Sequence, residues 1–157
     1  MRGSVLGLFL LYLFGAFALE HAPMPEMISW LQPAWVMLVV TIMVLLAPQV
    51  FGLWLAFPIG LLMDVEQGTL IGVHVLLVAI HIVILQLLYR RIYLFNVLQQ
   101  SLVIFLMIMA ERIVQYWTTA MVDSQAMPVP MLWPALISAV IWPWIYALLY
   151  RPLRRMQ

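Results

Sequence analysis

The sequence predicts an all-α integral membrane protein, a single six-helix transmembrane bundle spanning residues 1–157. Three observations predict it. Hydrophobic residues make up 67% of the chain, mean hydropathy is +1.11, and the 8% charged residues are too few to coat a soluble surface. The apolar residues fall into six stretches separated by short polar breaks. The breaks alternate in sign, with arginine at some and carboxylates at the others.

The stretches run over 4–19, 33–47, 50–63, 70–89, 96–121 and 131–150. A helix perpendicular to the bilayer needs about 20 residues to cross ~30 Å of hydrocarbon. The fourth, fifth and sixth meet that length. The second and third, at 15 and 14 residues, do not. They borrow flanking residues such as Ile28–Leu31, thin the bilayer locally, or form a helical hairpin turning at Pro48-Gln49.

Arginine in short loops stays cytoplasmic and sets orientation. Arg2 precedes the first stretch, Arg90 and Arg91 follow the fourth, and Arg151, Arg154 and Arg155 follow the sixth. Glu20, Glu26, Asp64, Glu66 and Asp123 occupy breaks without arginine. Both termini are therefore expected inside, with loops 20–32, 64–69 and 122–130 outside. The first stretch has a second reading, since Arg2, an apolar core and Ala16-Phe17-Ala18 also match a signal peptide with its cleavage site. Trp30, Trp35, Tyr89, Tyr93, Trp133 and Tyr150 fall near span ends, as an interfacial aromatic belt would place them. The C-terminal arginines suit anionic lipid. Net charge of +1 gives no global basis for binding nucleic acid.

Inside the spans, charge is confined to Glu111 and Arg112, and an intramembrane ionisable residue is a functional candidate by default. Neighbours on a helix point about 100° apart, so these two do not pair face to face. Glu111, Gln115 and Thr118 share one face, with Gln100 on it three turns earlier. That stripe is expected to point into the bundle or at a partner helix, as a polar clamp, a partner contact or a proton relay. His74 and His81, seven residues apart on one face, lack the three- or four-residue spacing of helical metal sites. With no cysteine and no carboxylate nearby in sequence, they are expected to bond a neighbouring helix, and no metal or cofactor is expected.

Asp64 opens the second outer loop, as a solvated group or as a cap on the fourth helix. Gly60, four residues earlier, suggests a tight helix crossing. Gly68 and Gly72 have the small-xxx-small spacing of closely packed membrane helices. Trp142-Pro143-Trp144 places a kink inside the sixth span, flanked by two indoles that form a packing or docking surface. No Walker loop, G-x-S-x-G or H-E-x-x-H motif occurs, so an enzyme is not expected.

The chain resembles the rod shape-determining protein MreD family. The residues carrying the resemblance are Gln32-Pro33-Ala34-Trp35, Gly60-Leu61-Leu62-Met63-Asp64, the run Gly68-Thr69-Leu70-Ile71-Gly72-Val73, Glu111, and Ile141-Trp142-Pro143-Trp144. Gln32 stands where the family typically has arginine, and Glu111 where it has aspartate. The resemblance implies a non-enzymatic inner-membrane subunit of the cell-wall elongation machinery. Such a subunit would sit beside the single-pass protein MreC and connect MreB filaments to the elongation transpeptidase and RodA. It also implies a fold like the substrate-binding components of energy-coupling-factor transporters. The alternative function is a small-molecule carrier, with ligand held between helices near Asp64, His74 or Glu111.

Overall fold

A computed structural model describes residues 2–23, 25, 29–92, 94–121 and 132–150. Among them are six α-helices and no strand: α1 (Arg2–Glu20), α2 (Trp35–Leu46), α3 (Ala56–Gln67), α4 (Val73–Ile92), α5 (Val97–Ala120) and α6 (Trp133–Ile145). Expectations for Glu26, Tyr93, Asp123, Arg151, Arg154 and Arg155 lie outside the described residues, as does the start of the sixth stretch at Met131. Among the described residues, α4 and α5 are each long and apolar enough to cross a membrane unaided.

The shortness of α2 has a packing explanation. Every residue from Val36 to Val44 is buried, and α1, α4 and α6 pack around it. A helix that is apolar all round belongs in a core. At 1.5 Å per residue α2 is about 18 Å long, and its surface meets other helices instead of lipid. Phe9 and Ala16 of α1 are buried in the same core, with the Phe9 ring 4.8 Å from that of Phe51.

The hairpin expected at Pro48-Gln49 takes a different form. The chain turns there, with Val50 and Phe51 N–H donating to the Ala47 carbonyl, and a 3₁₀ turn at Leu53–Leu55 precedes α3. The helix begins at Ala56, several residues later than expected, and runs on to Gln67. It packs chiefly on α4. Pro48 and Gly52 delay the start, while Pro58 is tolerated because it falls in the first turn.

Gly68 ends α3 in the left-handed region at φ 62°, and Gly72 has φ 106°. Neither would bring a Cβ within 4 Å of another group. The small-xxx-small reading of Gly68 and Gly72 is therefore corrected: they shape a turn that residues with a Cβ disfavour. Gly60 is the close-packing glycine. A Cβ there would lie 2.3 Å from Val75 Cα and 2.4 Å from Val75 N.

α5 starts where a reciprocal capping box forms between Asn96 and Gln99. In α6, Pro143 supplies no N–H to the Ala139 carbonyl, and the helix passes into a π turn at Tyr146–Tyr150. Trp142 is fully buried and Trp144 is 76% exposed, so the two indoles beside the proline have separate roles. Trp30 and Trp133 meet edge to face at 5.3 Å, whereas Trp35 packs against the core.

Candidate functional site

Successive helices reverse direction, which gathers Glu20, Asp64, Glu66 and Arg112 towards one end and leaves Arg90 and Arg91 at the other. From the first end a chain of polar contacts descends between α2, α3, α4 and α5.

Asp64 comes first. It lies in the last turns of α3 and is buried, which corrects the expectation of a solvated loop residue. The capping reading holds. Oδ2 accepts the Gly72 N–H at 2.7 Å, and Oδ1 accepts the His74 N–H and the Thr69 hydroxyl, each at 2.9 Å. His74 Nδ1 lies 2.9 Å from the same Oδ1. A carboxylate at the start of α4 satisfies N–H groups without intrahelical partners and complements the helix dipole. The close crossing at Gly60, one turn earlier, brings α3 near enough for these bonds.

Two turns further along α4, His81 is buried between two other helices. Nδ1 contacts Glu111 Oε1 of α5, and Nε2 lies 2.8 Å from Thr41 Oγ1 of α2. The Thr41 hydroxyl also donates to the Met37 carbonyl at 2.7 Å. Both histidines thus bond neighbouring helices, as expected. Each has a carboxylate partner in space, Asp64 or Glu111, that local sequence distance concealed. Among the described residues no group of three or more His, Asp or Glu is arranged to hold a metal.

The polar stripe of α5 points into the bundle. Glu111 reaches His81, Gln115 Nε2 donates to Gln67 Oε1 at 2.9 Å, and Thr118 returns to the Gln115 carbonyl. Arg112 Nη1 donates to Gln115 Oε1 at 3.2 Å, and among the described residues it makes no ion pair with Glu111, although both line the same cleft. Gln100 is buried further down α5. It donates to the Ile92 and Phe95 carbonyls and accepts the Trp142 indole N–H at 3.2 Å, fastening α6 to α5.

Above this chain lies an open vestibule of about 320 Å³, lined by Glu20, His21, Gln32, Glu66, Gln67, Arg112 and two prolines. Glu20 Oε2 accepts the Val36 N–H at the start of α2, and His21 pairs with Glu66. Gln32 donates its amide to the carbonyls of Leu19 and Glu20, tying the end of α1 to the entry of α2. The vestibule was not legible in the sequence, since its members come from two breaks and three spans with no shared spacing. Gln67 in particular carries no local signal. A second open cavity of about 310 Å³ lies beside it, between residues 67–73 and Thr118-Thr119.

Fold and site together define a helical membrane bundle whose interior polar groups bind one another across helices. Comparison with known proteins agrees. The family model described as "rod shape-determining protein MreD" matches residues 2–151. A protein of Haemophilus influenzae described as "Rod shape-determining protein MreD" is 30% identical over 140 residues, covering 89% of this chain and 86% of its own. No solved structure matches. The chain belongs to the MreD family of membrane proteins, which acts in rod shape determination.

Proposed function

We propose that the protein is a non-enzymatic scaffold of the bacterial cell-wall elongation complex. It is a multi-pass protein of the inner membrane with both termini cytoplasmic. It binds an MreC-like single-pass partner and helps to link MreB filaments to the elongation transpeptidase and RodA. The C-terminal arginines contact anionic lipid, and nucleic acid is not a partner. A fold like that of energy-coupling-factor binding components is part of this proposal.

The observation that carries the reading is how the interior is used. Among the described residues, the polar groups singled out from the sequence are largely satisfied by neighbouring helices, and the cleft lined by Glu111 and His74 holds only about 20 Å³. Outward, α6 and the π turn that follows it present Leu136, Val140, Trp144 and Leu148 at four-residue spacing, all exposed. In a bilayer such a stripe meets lipid or another helix, and helix association there relies on close packing and interhelical hydrogen bonds.

The vestibule favours a second reading, a small-molecule carrier, because about 320 Å³ is within the range of ligand sites. Purification of the tagged protein in mild detergent separates the two. The scaffold reading expects co-recovery of an MreC-like partner, and loss of rod shape on depletion. Recovery alone with a bound metabolite would replace it with the carrier.

A further inference from the structure

The three bonds around His81 constrain where hydrogens can lie. Thr41 has one hydroxyl hydrogen, and the 2.7 Å approach of its oxygen to the Met37 carbonyl requires that hydrogen between them. Thr41 Oγ1 can then only accept from His81, so Nε2 carries a hydrogen. On the other side of the ring, Nδ1 faces Glu111 Oε1. A neutral ring already protonated at Nε2 has a lone pair at Nδ1, and a carboxylate is acceptor-only. Their contact therefore needs one further proton, borne by Nδ1 or by Glu111. The His81 side chain is fully buried, so no bulk water substitutes for it.

Among the described residues, the route for that proton leads to one end. The cleft lined by Glu111 and His74 has about 20 Å³, above the ~10–15 Å³ that one water needs, and its walls supply polar partners. Glu20, Gln67 and Arg112 line both this cleft and the vestibule, so they form its mouth. In the other direction Val78, Ile82, Leu85, Ile104 and Ile108 are buried and apolar. The next polar residues on α5 that way are Ser101 and Gln100, about 15 Å along the axis. The charged or titratable groups around the cleft and its mouth are Glu20 at the end of α1 and His21 just after it, Asp64 and Glu66 of α3, His74 and His81 of α4, and Glu111 and Arg112 of α5. α2 contributes Thr41, and no residue of α6 lines the cleft.

We propose that Glu111, His81 and Thr41 form a buried proton-binding site, loaded with one proton and exchanging with water only through the vestibule bounded by Glu20, Gln67 and Arg112. It ends blind, so it binds a proton without conducting one. This goes beyond the scaffold reading and does not rest on it.

Two measurements on the full chain in lipid nanodiscs test it. Hydroxyl-radical footprinting reads hydration through methionine oxidation. Met37 and Met63 line the cleft at 4% and 5% exposure, and Met43 is buried at 1% away from it. Met37 and Met63 are expected to oxidise several-fold faster than Met43, and Gln67→Leu at the mouth to slow both. Equal rates for all three would overturn the water route. Nitrogen-15 NMR of labelled histidine, assigned by loss of one signal in His81→Gln, reads the ring directly. The His81 Nε2 is expected protonated, and Thr41→Val, which removes its acceptor, is expected to leave Nε2 bare with a single ring hydrogen at Nδ1 facing Glu111. A bare Nε2 in the native protein would overturn the proton site. In proteoliposomes, proton leak above that of empty vesicles, abolished by Glu111→Gln, would show a conduit and overturn the blind end.

Discussion

Gly60→Ala should force α3 off α4. The added Cβ would lie 2.3 Å from Val75 Cα and 2.7 Å from the His74 carbonyl carbon, all of it backbone that cannot rotate aside. Ordinary carbon contacts are about 3.5–4.0 Å, so the helices must part by roughly 1 Å. Overpacking of this kind costs about 1–3 kcal/mol, occasionally more. Here the separation also stretches the bonds that Asp64 makes one turn away to Gly72, His74 and Thr69. The assay is thermal unfolding of purified protein in mild detergent, run beside two other glycine variants. Gly15→Ala, in α1 with nothing within 4 Å, should be neutral or slightly stabilising. Gly68→Ala, held at φ 62°, should lose about 1–2 kcal/mol from backbone strain with no steric clash. The ranking Gly15, Gly68, Gly60 in increasing damage follows from geometry. A Gly60→Ala protein as stable as Gly15→Ala would refute the close crossing.

Other variants probe the polar chain. Asp64→Ala strands the Gly72 and His74 N–H groups, each worth about 1–3 kcal/mol when left buried without a partner, and should speed amide exchange in the first turn of α4, while Thr69 keeps His74 Nδ1 within reach at 3.1 Å. Asp64→Asn keeps one acceptor oxygen and should recover part of that loss. Glu111→Leu removes the partner of a fully buried His81 and should cost about 1–3 kcal/mol, read by unfolding and by rod-shape complementation. Glu111→Gln retains a hydrogen-bonding partner and should stay within about 1 kcal/mol of the native chain. Trp142→Phe loses the bond to Gln100 and should cost about 1 kcal/mol, whereas the exposed Trp144→Ala should leave unfolding unchanged and weaken partner co-purification.

Much of this molecule was legible in the sequence because membrane constraints act locally. Runs of apolar residues define helices wherever backbone polar groups must be satisfied within a segment, and so α1, α2, α4 and α5 lie close to their expected bounds. Helical period gave the shared face of Glu111 and Gln115 and the lack of a direct Glu111–Arg112 pair, while the choice between the bundle interior and a partner helix was left to the structure, which turns that face inward. Gly60 was recognisable from its place one turn before Asp64. Partnership was not legible. His74 finds Asp64 ten residues away, His81 finds Glu111 and Thr41 on two further helices, and Trp142 finds Gln100. Gly68 and Gly72 share a spacing with packing glycines, yet their positive φ places them in a turn. Composition and period are properties of one segment, and the sequence by itself determined those. Which polar side chain neutralises which is a property of helix neighbours, and only the packing of α3 and α5 on α4 around a buried α2 decided it.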